Sequence, residues 1–61
     1  MKNCVIIFNE ERTEFVDNGG IVTVTQTEDG EQIAIFNISP AMAESLKQNL
    51  LADEGAKEFP L

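Results

Sequence analysis

The chain has 61 residues, with eleven Asp and Glu against four Lys and Arg, a net charge of −7, one cysteine and no histidine, tryptophan or tyrosine. That length allows a single domain, which buries only roughly 60% of the surface its unfolded chain exposes. One cysteine excludes an internal disulfide, the missing histidines exclude a tetrahedral zinc set, and the acidic balance argues against direct binding to nucleic acid or to a membrane surface, both of them polyanionic.

Met1 to Phe8 sets a positive charge before an apolar run, as a signal peptide does, but Asn9-Glu10-Glu11-Arg12 ends the run too soon for a signal or a membrane span. The expected location is cytoplasmic. Asn37-Ile38-Ser39 fits a glycosylation sequon, which in that location would be chance.

Val5 to Phe8 is a continuous β-branched and aromatic run, the pattern of a central strand buried on both faces. Residues 9–12 read as a polar turn, and Thr13 to Val16 as a second strand ending at Asp17-Asn18-Gly19-Gly20, whose residues tolerate positive φ. The clearest pair is Ile21–Gln26 with Gln32–Asn37, a hairpin closed around Asp29-Gly30.

Ser39-Pro40 then announces a helix: serine caps the free N–H groups of the first turn, and proline suits the first helical position. The helix is expected to run to about Ala52. Met42, Leu46 and Leu50, widened by Ala43 and Leu51, form its apolar stripe, while Glu44, Lys47 and Gln48 face water. Asp53 and Glu54 oppose the helix dipole and fray its end, and Gly55 stops it in the C′ role.

The expected fold class is therefore α+β: a small antiparallel sheet of three to four strands, followed by one C-terminal α-helix packed on one face. Residues 1–55 form the domain, and residues 56–61 a flexible tail that is either loose or docked.

Side chains alternate across a sheet, so Val5 and Ile7 oppose Ile6 and Phe8, while Ile33 and Ile35 oppose Ala34, Phe36 and Ile38. The sheet thus has two apolar faces and one helix to cover them. A core of this size seldom supplies more than about 3 to 5 kcal/mol, and each large side chain left wet forgoes roughly 1.5 to 3 kcal/mol. A homodimer or a permanent protein partner on the uncovered face is the economical solution. The alternative is that residues 9–20 fold over that face as a lid.

Candidate chemistry is thin. Cys4 beside a carboxylate and Ser39 with Lys47 are the nearest approaches to a nucleophile and base, yet Ser39 is explained as a cap and Cys4 as a small apolar side chain. Carboxylate pairs such as Glu10 with Glu14 or Glu28 with Asp29 fall in solvated turns. Gly19-Gly20 lacks the spacing and lysine of a phosphate loop, and neither Asp17-Asn18-Gly19 nor Glu28-Asp29-Gly30 continues into a calcium loop. No catalytic residue, cofactor or metal ligand is expected.

What the sequence leaves is a small acidic non-enzymatic protein-interaction module. The profile is that of accessory or inhibitor proteins of phages and mobile elements, an expectation from composition and not from a motif. The candidate contact residues are Val5, Ile7, Ile33 and Ile35 on the uncovered face, with Glu10, Glu11 and Glu14 as acidic contacts. The alternative is an acidic nucleic-acid mimic that blocks a DNA-binding protein through the carboxylates placed before the helix.

Overall fold

A computed structural model describes residues 1–61. Five strands and one helix follow in the order β1 (Cys4–Phe8), β2 (Glu11–Asp17), β3 (Val22–Glu28), β4 (Glu31–Ile38), α1 (Pro40–Leu51) and β5 (Lys57–Pro60). The strands form one sheet, ordered β4-β3-β2-β1-β5, in which every neighbouring pair is antiparallel. The α+β class holds, with two corrections to the expected layout.

The sheet has five strands, and the helix stands between the fourth and the fifth. The expected flexible tail contains β5, which pairs with the outer edge of β1 through Cys4 with Pro60 and Val5 with Phe59. Lys57-Glu58-Phe59-Pro60 does not make a convincing strand alone. Pairing of its backbone groups with those of β1 is what makes the short segment extend.

The second correction concerns residues 9–20, which form no lid. Residues 11–17 are the middle strand of the sheet, joined to β1 by Asn9-Glu10 and to β3 by the turn at Asn18–Ile21. That turn is held by Asn18 N–H donating to Ile21 O at 2.7 Å and Gly20 N–H donating to Asp17 Oδ1 at 3.1 Å. The β3–β4 hairpin closes as its residues require: Asp29 and Gly30 have φ of 52° and 80°, positive at both central positions of a tight two-residue turn.

Ser39 caps the helix, its Oγ accepting from Met42 N–H at 3.2 Å while its carbonyl accepts from Ala43 N–H at 2.9 Å. The helix stops at Leu51 with Ala52 as C-cap. Gly55 therefore serves in the following turn, at φ 93°, and not at C′. At about 1.5 Å per residue the helix is about 18 Å long, and five strands about 4.8 Å apart span about 19 Å. One helical pass thus carries the chain from the β4 edge to the β5 edge.

The core lies between helix and sheet. Cys4, Ile6, Phe15, Val22, Val24 and Ala43 are buried there, with Ile38, Leu46, Leu50 and Leu51 packed around them. Ala43 is the one helix residue fully buried, a small side chain that lets the helix lie close against the sheet. The expected stripe is rotated accordingly: Met42 is 61% exposed. Lys47, expected in water, lies half-covered, its Nζ 3.0 Å from Glu58 Oε2 on β5. The helix turns this flank to the strand that the sequence conceals.

Candidate interaction surface

Antiparallel register fixes which side chains share the face away from the helix. One row across the sheet reads Phe59, Val5, Glu14, Thr25, Ile35, and the next reads Lys57, Ile7, Arg12, Thr27, Gln32. Val16, Thr23 and Asn37 make a third. No element of the chain lies over these rows.

Val5, although it faces away from the helix, is only 5% exposed, because Phe59 and Glu14 flank it on neighbouring strands. Ile7, Ile35 and Phe59 remain exposed, Ile35 at 59%. The face is more polar than an alternation count of β1 and β4 implies. Between the apolar groups of β1/β5 and those of β4 run the hydroxyls of Thr23, Thr25 and Thr27 and the Arg12–Glu14 pair at 3.5 Å. Thr23 Oγ1 donates to Asn37 Oδ1 at 2.8 Å, which ties the polar stripe to the edge strand.

Charge is distributed unevenly. The open face holds Arg12 and Lys57, two of the four basic side chains, against Glu14. Glu11, Glu28 and Glu31 instead stand side by side on three adjacent strands at the end where the β1–β2 and β3–β4 turns lie. Glu10 and Asp29 add to them from the turns, whose backbones are joined by Asp29 N–H donating to Glu10 O at 3.1 Å. Like charges directly opposite across strands destabilise a sheet, so this acidic end opposes the fold at low salt.

The expected contact residues therefore separate into two places. Val5, Ile7 and Ile35 share the open face. Ile33 is diverted by a bulge in β4, where Gln26 pairs with Ala34 but Thr27 pairs with Gln32. Glu14 lies mid-face beside Val5, whereas Glu10 and Glu11 belong to the acidic end. Phe59 joins the face unforeseen, since its segment showed no strand period. Its only signal was an apolar residue flanked by polar and proline neighbours.

Two further sites concern stability. The Cys4 thiol is buried against the Lys47–Glu58 pair; burial raises its pKa, the Glu58 carboxylate raises it further and Lys47 opposes them. A thiol so held stays protonated near neutrality and behaves as a small apolar group. Asp17, at the far end of β2, accepts from Gly20 N–H and from the Met1 ammonium at 3.0 Å, and both lower its pKa.

No three Asp, Glu, Cys or His side chains gather closely enough to hold a metal ion. No helix is long and apolar enough to cross a membrane. Comparison with protein families, with curated proteins and with solved structures finds no match to this chain.

Proposed function

We propose that this chain is a non-enzymatic protein-interaction module whose open sheet face docks on another protein. The observation that carries this reading is the outward exposure of Ile7, Ile35 and Phe59 on a face that no segment of the chain covers. Apolar groups on either side of a stripe of threonines and one ion pair make this face amphiphilic, with large side chains available to a partner. A cytoplasmic accessory or inhibitor protein of phage or mobile-element type fits this reading. A second copy of the chain on that same open face, as a homodimer, is the alternative occupant within this reading.

The test is capture from native lysate by the wild-type chain and by Phe59→Glu and Ile35→Glu, which place a charge on the open face and leave the core between helix and sheet intact. Proteins held by the wild type and lost by both variants support the reading. Equal capture by all three would remove it.

The acidic end favours a second reading, in which the chain imitates a nucleic acid. Glu11, Glu28 and Glu31 lie on strands about 4.8 Å apart, against one phosphate per about 3.4 Å of axis along a single DNA strand. The cluster spans only one end of the molecule, so the open face leads. Replacing Glu11, Glu28 and Glu31 by Gln separates the two: the leading reading expects less than about a tenfold change in affinity for a captured partner. A loss of several hundredfold, with a steep dependence on salt, establishes the mimic in its place.

A further inference from the structure

The two edges of the sheet are unlike. β5 is four residues long and carries Lys57 and Pro60, both of which discourage further pairing. β4 is eight residues long and contains neither lysine nor proline. Its guards are Glu31 and the bulge at Ile33, both at its first end, and beyond them Ala34–Ile38 runs as regular strand with one row of backbone N–H and C=O groups unpaired. Ile35 and Phe36 are both exposed there.

Charge restricts what can approach this edge. Residues 32–43 carry no charged side chain, in a chain of net charge −7. The run covers the free part of β4 and continues into the first turn of the helix. Met42 is exposed there, beside a hollow of about 450 Å³ lined by Ala41, Met42, Ser45, Leu46 and Asn49. Met42 stands five residues, about 140° around the helix, from Lys47, which faces β5. A second copy, equally acidic, meets no like charge along this line, whereas at the acidic end it would meet five carboxylates.

We propose that the β4 edge pairs antiparallel with the β4 edge of a second copy, about a twofold axis at Phe36, joining two five-stranded sheets into one. In that register Phe36 meets Phe36, Ala34 lies opposite Ile38, and Ile35 lies opposite Asn37, so large side chains stand against smaller or polar ones except at the axis. A twofold that makes strands antiparallel is perpendicular to the sheet. Both helices therefore lie on one side, with their Met42 flanks beside the new seam, and both open faces lie on the other as one continuous platform. This goes beyond the partner-face reading, because it uses the edge and leaves that face free.

The test combines sedimentation equilibrium of the full chain, from about 1 to about 500 μM, with amide hydrogen exchange at both ends of that range. The expected result is a dimer in which alternate amides of Ala34–Ile38 gain protection at high concentration. Phe36→Lys should raise the dimer dissociation constant at least about tenfold, while Phe59→Glu on the open face leaves it unchanged. Should circular dichroism show Phe36→Lys unfolded, Ile35→Lys replaces it and the exchange of the native chain still decides. A monomer at about 500 μM overturns the proposal. So does a dimer whose β4 amides exchange as in the monomer, which would place the second copy on the open face. Protection of those amides only on adding a captured partner would give the edge to a foreign strand.

Discussion

Ile6 and Ile7 are consecutive, identical in chemistry and held in the same strand, yet one is 2% exposed and the other 37%. The difference lies in what covers each side of the sheet. On Ile6's side the helix brings Ala43, Leu46 and Leu50 down onto Phe15, Val22 and Val24. On Ile7's side there are only the neighbouring strands, enough to bury Val5 between Phe59 and Glu14 but not Ile35 at the edge. Burial here is a property of position in the assembly of elements, and an apolar residue by itself does not reveal which side it serves.

The strongest way to break this contrast is to remove the centre of the covered side. Phe15→Ala should cost about 3 to 5 kcal/mol, comparable to the whole stability of so small a domain, and leave a chain without a cooperative melt by far-UV circular dichroism. A folded variant with a modest shift would mean that the two sides share the stabilisation. Detaching the cover at its hinge is milder: Ser39→Ala removes the oxygen that accepts from Met42 N–H and should lower stability by about 1 kcal/mol. An unchanged midpoint would show that packing of Ala43 and Leu46 holds the helix without its cap.

The acidic end offers a gain instead of a loss. Glu28 stands between Glu11 and Glu31, so Glu28→Gln should stabilise the fold by about 0.2 to 1 kcal/mol at low salt, with the gain fading as salt is added. A loss of stability would mean that Glu28 has a favourable contact outweighing its neighbours. Asp17 works by pH. Its folded pKa lies below the ordinary 3.8, so its contribution is present above that value and is lost as pH falls through it towards the folded pKa. Asp17→Asn should therefore flatten part of the acid limb in melts between about pH 5 and pH 2; parallel limbs in the two proteins would refute the assignment. Smallest of all is the matched change on the open side. Ile35→Thr should move stability by no more than about 0.5 kcal/mol, and a larger cost would show that this face is covered in solution.

Features written in local chemistry were legible in the sequence. Ser39-Pro40 and Asp29-Gly30 each act on backbone within a few residues, and the helix start and the hairpin stand where those pairs place them. Alternation likewise put Val5, Ile7 and Ile35 on one side. What stayed hidden depends on distant partners. Lys57-Glu58-Phe59-Pro60 becomes a strand because β1 has a free edge, and Lys47 turns inward because Glu58 is there to meet it. Glu11 joins β2 because Phe8 lies opposite, which draws it away from Glu14 and divides the expected acidic contacts between two places.

The pairing of β1 with β5 also orders events in time. Hairpins between consecutive strands close short loops, while joining Val5 to Phe59 closes nearly the whole chain and so carries the largest entropic cost of any contact in the sheet. β5 is thus the natural last step of folding and, with four residues and every side chain exposed, the first to open again. Each opening uncovers the flank of Val5 and parts Lys47 from Glu58. The open face is then complete only while this strand is seated, so on the proposed reading β5 is a latch on the docking surface.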